Sequence, residues 1–452
     1  MRSLGRLLLI AAACGQGCAS PATGAGTPTV ATFQCDVTPP IGHPLCGGLR
    51  QAADAVADPL AAKGIILDDG RTRVVLCAVD WCRIQNESHE LFRAKLAAAA
   101  ETDPSHVAVQ TTHAHETPMV DSVAQRLMDA VASPPRHTDL AFLEQATDRV
   151  AAAARAARST RRPFTHVGFG KGRVNQVASN SRVRLADGKL VERPSVTTST
   201  AIQAQPEGLI DPWIRTVTLF NGDAPLVRLH YFACHPENSK TDGKVSSDVF
   251  GPLRERLEKA QGIPHVYFAG CGGNVGMGKY HVSPAEACKA RAIDRICDGI
   301  REAERATRRA PVARVDWKIA EARLVPRSEK ESEADLRERL ADASRPEKAR
   351  IGAALSLSWM DRVRKRPTID ITVLRLGPVS IVHLPGEPFV EYQLFAQSRT
   401  GDFVAVAGYG DGGPGYICTD EGYAEGGYQP SASRVVAPTE SRLREAIAAV
   451  LD

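Results

Sequence analysis

The segment Thr111-Thr112-His113-Ala114-His115-Glu116-Thr117-Pro118 sets two imidazoles two residues apart, after the alternating run His106 to Gln110. Residues i and i+2 of a strand share a face, so Val107, Val109, Thr111, His113 and His115 project together. Neutral imidazole nitrogen suits zinc, and two side chains placed this way can reach one ion or one substrate. The same pair also fits a turn whose rings only satisfy hydrogen bonds, so further ligands have to decide. Two other segments offer them. Leu229 to Cys234 runs into His235-Pro236, and Val379 to Leu384 runs into Pro385-Gly386-Glu387-Pro388. Proline stops both strands, which leaves His113, His235 and Glu387 each at a strand-to-turn junction. Ligands of α/β proteins gather at strand carboxyl ends, and two histidines with one glutamate and an open position form a catalytic zinc set.

A glycine-rich run also follows a strand: Gly270-Cys271-Gly272-Gly273-Asn274-Val275-Gly276-Met277-Gly278-Lys279-Tyr280. Gly273, Gly278 and Lys279 have the spacing of a phosphate loop, but Tyr280 stands where Ser or Thr must bind magnesium. A loop whose backbone passes close to a substrate is the better reading.

Strands and helices must alternate to position these residues, and from about residue 29 they do. Residues 64–67 and 74–79 flank Asp68-Asp69-Gly70 as a hairpin, and an amphipathic helix over 87–101 leads to the His-x-His strand. A second helix covers 140–157. Strands follow at 165–169, 216–220, 227–234 and 266–269, with a helix over 249–260 between the last two, and another helix covers 285–308. Residues 326–366 read as a highly charged helical insertion at the surface. Strands at 369–376, 379–384 and 403–407, a Gly-rich loop, and a helix over 439–451 complete the chain. No internal repeat is evident. The expected fold class is α/β, a single mixed-sheet domain over 29–452 with the metal site at strand carboxyl ends.

The bulk properties narrow the partners. The 452 residues are 43% hydrophobic and 24% charged, and 56 basic against 52 acidic residues leave a net charge of +4. This balance gives no case for nucleic acid. Arg2 and Arg6 precede the apolar run Leu7 to Ala13, so residues 1–28 read as a signal peptide or lipoprotein leader. Cys14 is the candidate acceptor of a lipid anchor. That run is shorter than the about 20 residues a spanning helix needs, and no other stretch qualifies, so the mature chain is expected to be secreted or periplasmic without an integral membrane segment. Cys14 and Cys18 fall in the leader. Of the nine later cysteines, Cys35 with Cys46 and Cys288 with Cys297 are the easiest disulfides to draw from separation in an exported chain.

The ordered motifs resemble one family. Thr112-His113-Ala114-His115 is similar to the Thr-His-Thr-His of the neutral ceramidases, zinc amidases that cleave the amide of N-acylsphingosines. Asp211-Pro212 with Val217 to His235 resembles their strand pair ending in Phe-Ala-x-His. Pro385-Gly386-Glu387 matches their Pro-Gly-Glu, and Tyr416-Ile417-Cys418-Thr419, with Tyr423 and Tyr428 downstream, resembles their Tyr-x-Thr-Thr segment and its later tyrosines. The resemblance covers nearly all of the family's catalytic domain. It implies that His113, His235, Glu387 and Tyr416 bind Zn2+, and that His115, Arg182 and Tyr428 face the scissile carbonyl. Arg182 lies in Asn180-Ser181-Arg182, which shares only part of the family's Asn-Arg-Ser-Pro.

Two departures stand out. Gly276 occupies the place of a family serine discussed as a nucleophile, so no serine acyl-enzyme can form there, and the neighbouring Cys271 reads as structural. The chain also ends soon after the last motif, without the family's immunoglobulin-like C-terminal domain, so access to membrane lipid is not implied. The expectation is an exported zinc-dependent amidohydrolase acting on ceramide or a related lipid or small-molecule N-acyl substrate. The alternatives are hydrolysis of another amide or ester, and a non-catalytic binding homologue. A TIM-barrel amidohydrolase would want further His and Asp ligands, and a metallo-β-lactamase would follow His-x-His with Asp-His.

Overall fold

A computed structural model describes residues 27–197, 199–236, 243–282, 285–327 and 332–452; the expected leader with Cys14 lies outside them. The chain forms three main sheets, and one unit recurs in each: an antiparallel strand pair, a crossover helix, and a strand parallel to the second of the pair.

In the first sheet β1 (Thr29–Asp36) pairs with β2 (Ala61–Asp68), β2 with β3 (Arg73–Val79), and helix α1 (Asn86–Ala100) leads to β4 (Val107–Thr111) beside β3. In the second, β5 (His166–Arg173) flanks β6 (Trp213–Asn221), which pairs with β7 (Ala224–Phe232); α2 (Phe250–Gln261) returns the chain as β8 (His265–Ala269). In the third, β9 (Asp316–Ala322) flanks β10 (Ile369–Leu376), which pairs with β11 (Val379–His383); α3 (Val390–Ser398) returns it as β12 (Phe403–Ala407). A glycine at positive φ, Gly70, Gly222 or Gly377, turns each hairpin, a conformation glycine adopts without steric cost.

The mixed α/β expectation holds, with the mixed pairing distributed over three sheets. Their inner faces share one core. Ile65, Leu67, Leu76 and Ala78 of the first sheet meet Val217, Leu229 and Phe268 of the second and Leu374, Leu376 and Ile381 of the third. The alternate residues Ile66, Val75, Cys77 and Val79 pack outward under α1 and the Leu140–Ala157 helix. Both faces are covered, so these strands read as continuous apolar runs. Backbone bonds join the three sheets at one end: Gly408 donates to the Ala269 carbonyl (2.8 Å) and Thr111 to the Tyr409 carbonyl (2.9 Å).

The recurrence lies in the topology and leaves no evident repeat in the sequence. The units share strand order and not residue identity, and α3 escaped the sequence reading because it directly follows Pro385 to Phe389 in what reads as loop. The cysteine pairings are corrected, since all nine described cysteines are free. Cys288 and Cys297 lie on one helix, Ala285–Arg305. At about 1.5 Å per residue they are roughly 13 Å apart along it, beyond the roughly 7 Å Cα limit for a disulfide. Cys46 instead has its sulfur 3.7 Å from that of Cys82. Within the charged 326–366 stretch, helices Glu333–Ala341 and Glu347–Lys365 bury Leu336, Leu340, Ile351 and Leu355 against Met119 and Met128. Most of the charge lies on their outer side, but Arg350 and Arg362 are buried with the apolar face that packs on the domain.

Asp80, directly after β3, and Arg254 of α2 tie the first unit to the second. Arg254 Nη1 donates to Asp80 Oδ1 at 2.8 Å, Nη2 pairs with Oδ2, and Asp80 is fully buried. Removing one partner strands a buried charge. Asp80→Ala should lower unfolding free energy by about 3–5 kcal/mol, and Asp80→Leu with Arg254→Met should recover much of that loss in urea titrations.

Candidate metal centre

The strand ends of all three units meet at one point. β4 ends at Thr111, and two residues on His113 takes a left-handed backbone, φ +65°. This conformation is uncommon outside glycine, and it turns the ring inward, where the His113 amide is held by the Trp81 carbonyl at 3.0 Å. β7 ends at Phe232, and His235 follows with its amide donating to the Val275 carbonyl at 2.8 Å. After β11, Glu387 and Pro388 pair in parallel with Tyr416 and Ile417.

These three side chains form a compact donor set. His113 Nε2 lies 2.9 Å from His235 Nε2, and Glu387 Oε2 lies 3.2 Å from the first and 3.6 Å from the second. Both rings are oriented from behind. His113 Nδ1 is 2.7 Å from the Cys82 carbonyl, and His235 Nδ1 is 3.0 Å from the Gly272 carbonyl and 3.0 Å from the Tyr409 hydroxyl. A carbonyl only accepts, so each Nδ1 carries the proton and each Nε2 presents a lone pair. Burial, reinforced by the neighbouring His235, pushes His113 well below its ordinary value, so the ring is neutral. Neither carboxylate oxygen of Glu387 makes a hydrogen bond, although Arg83 Nη2 forms an ion pair with Oε1. Three converging acceptors with no proton between them repel one another unless a cation joins them, so this donor set fits a divalent metal. Cys82, His113 and His115 form a second, overlapping group of metal-capable atoms.

The remaining expected residues gather around this set, with one exception. His115 is half-buried, its ring 5.1 Å from that of His113 and 5.2 Å from that of His235. Burial, then the neighbouring His235, holds it well below 6.5. The Tyr416 ring lies parallel to that of His235 at 6.3 Å and edge-on to Tyr428 at 5.8 Å. A cavity of about 320 Å³ opens here, walled by His235, Gly272, Gly276, Tyr416 and Tyr428. Arg182 stands behind that wall. Its guanidinium donates to the Gly426 carbonyl (2.9 Å), Gln429 Oε1 (3.3 Å) and Glu425 Oε2 (2.7 Å), bracing the start of the short helix Tyr428–Ala432.

The glycine-rich run is explained by close backbone approach, to the segments of Glu387 and Tyr409 as well as to the cavity. A Cβ on Gly273 would lie 2.3 Å from the Glu387 carbonyl oxygen, and one on Gly272 would lie 2.7 Å from the Tyr409 hydroxyl. Lys279 is bound by the Gln203 and Gln205 carbonyls, so it does not serve a phosphate.

Three contributors escaped the sequence reading: Arg83, Tyr409 and the Cys82 carbonyl. Tyr409 stacks on His113 at 4.5 Å and sits two residues past β12 with φ +57°, as His113 sits past β4. The shared topology is the signal that would have revealed it.

No protein-family model matches the sequence, and no curated protein matches it. Solved structures do match the fold. A ceramidase complexed with C2 aligns at 13% identity and TM-score 0.69, over 94% of this chain and 75% of that one. The neutral ceramidase from Pseudomonas aeruginosa aligns at 13% identity and TM-score 0.68, over 94% and 74%. The chain has the fold of these neutral ceramidases.

Tyr409→Phe keeps the stacked ring and removes the hydroxyl from His235 Nδ1. Divalent-metal affinity should fall about 10-fold to 100-fold, measured by competition with a chromophoric chelator.

Proposed function

We propose that this chain is an exported zinc-dependent amidohydrolase that cleaves the amide of ceramide or a related N-acyl substrate with water. The observation that carries the reading is the set of three buried acceptors, His113 Nε2, His235 Nε2 and Glu387 Oε2, with no proton to share. Tyr416, packed beside His235, completes the ligand set in this reading. When bound, zinc supplies Lewis acidity, lowering the pKa of water to about 7 and polarising a carbonyl oxygen.

The chain's own groups then divide the work. His115 stays neutral at pH 7, so Nδ1 or Nε2 can take a proton from the attacking water and return it to the departing amine nitrogen. The Tyr428 hydroxyl, on the cavity rim, donates to the oxygen that gains charge. Arg182 is a positioning residue, holding the Gly426 to Gln429 turn so that Tyr428 meets the carbonyl. Gly276 faces the same cavity without a side chain, so water attacks directly and no acyl-enzyme forms at that position. The products are a carboxylic acid and an amine.

The fold match and the motif set favour an N-acyl lipid. Export rests on the leader composition, with Cys14 as the proposed lipid anchor, and among the described residues no helix is long and apolar enough to cross a membrane.

The two histidines of the opening motif should fail differently. His113→Ala should lose both bound zinc and amide hydrolysis. His115→Ala should keep stoichiometric zinc by elemental analysis while kcat falls about 10²-fold to 10⁴-fold. Purified protein with no affinity for zinc would sink the reading.

A further inference from the structure

A second, larger cavity of about 410 Å³ adjoins the metal centre, and Tyr428 and Arg83 belong to both places. Its volume is that of a small-molecule site, about 300–1,000 Å³. Leu336, Ile351, Leu355, Trp359 and Met360 give it an apolar lining. The other charges are all of one sign. Arg83, Arg327, Arg339, Lys348 and Arg434 line it, and no Asp or Glu does so among the described residues.

Arg83 is paired with Glu387, whereas the hydrogen bonds of Arg434 and Arg327 go to neutral groups. Arg434 donates to Gln85 Oε1 (3.4 Å) and the Gly413 carbonyl (3.2 Å), and Arg327 to the Ser431 (3.1 Å) and Pro430 carbonyls. All of these acceptors are neutral. Arg83 Nε, Arg327 Nε and Trp359 Nε1 are buried donors without a hydrogen-bond partner. Burial, followed by repulsion from Arg83, brings Arg434 down to about 10, so it remains charged at neutral pH. Like charges held close together and partly out of water are stabilised by an anion that joins them. A lining that mixes apolar side chains with cations and holds no described acid suits a ligand that is both apolar and anionic.

We propose that this cavity selects the substrate of the amidase reading, on which it rests: an N-acyl amide that carries a carboxylate on an apolar body, in preference to a neutral ceramide. The amide lies by Tyr428 and the metal ligands, and the carboxylate meets the arginines. For an N-acylglycine the C–N bond is hydrolysed with one water, giving a fatty acid and glycine.

N-dodecanoylglycine and its neutral amide, N-dodecanoylglycinamide, are the probes. Binding is read before turnover by stopped-flow tryptophan fluorescence, since Trp359 lines the cavity, and hydrolysis is read separately by release of the amine. The wild-type protein should bind the carboxylate about tenfold more tightly or better. Lys348→Glu lies in the first turn of the Glu347–Lys365 helix, where an acidic residue is favourable, so it should fold normally and reduce that preference. Arg434→Gln should reduce it further. Gly352, on the same helix, has nothing within 4 Å of a Cβ. Gly352→Leu should therefore be tolerated and move the preferred acyl chain to a shorter length.

Equal affinity of the wild type for both probes, or equal weakening of both by Lys348→Glu and Arg434→Gln, would overturn the proposal, as would an unchanged chain preference in Gly352→Leu. Charge-selective binding with no hydrolysis of either probe supports the selectivity and removes the amidase reading. Hydrolysis of both with equal affinity does the reverse.

Discussion

The structure depends on keeping three electron-rich atoms together where chemistry would separate them. Two imidazole Nε2 atoms and a carboxylate oxygen face one another within 3.6 Å in a buried site. In a low-dielectric interior their mutual repulsion is strong. Each is restrained from turning away: His113 by the Cys82 carbonyl and the stacked Tyr409, His235 by the Gly272 carbonyl and the Tyr409 hydroxyl, and Glu387 by Arg83 at its far oxygen. These second contacts fix the tautomers, and with them the ability to hold a cation.

The threefold repetition of the strand-pair, helix, strand unit is how that restraint is delivered. In every unit the two parallel strands end at the same side, so residues just beyond them meet without long loops. Arg83, His235 and Glu387 follow the middle strands, and His113 and Tyr409 follow the returning strands with the same left-handed backbone. One architecture, used three times, supplies a candidate ligand or an orienting group from each copy. The common core of alternating inward residues keeps the three copies in register, because a slip of one residue would turn inner faces outward.

The glycine-rich run and the cationic cavity show what surrounds this centre. Gly272 and Gly273 let one unit's loop lie against the Glu387 and Tyr409 segments of another, so the same absence of side chains that admits close packing also leaves Gly276 bare on the cavity wall. Arg83 stands between the two sites, paired to Glu387 on one side and lining the arginine-rich cavity on the other. Arg83 thus links the candidate metal centre to the cavity.

Periodicity and turn chemistry were enough to read most elements. The helix at 140–157 and the strands at 369–376 and 403–407 occur where the alternation placed them, because local apolar spacing and flanking glycine or proline set them. His113, His235 and Glu387 were recognisable as strand-end candidates for the same local reason. Tertiary structure alone decided that their donor atoms converge, that Arg182 turns its guanidinium to the start of the Tyr428–Ala432 helix, and that Arg83 and Tyr409 join the site. It also decided that Cys46 neighbours Cys82. Those outcomes depend on how three sheets pack around a shared core, and contacts between residues hundreds of positions apart leave no periodic trace in a single sequence.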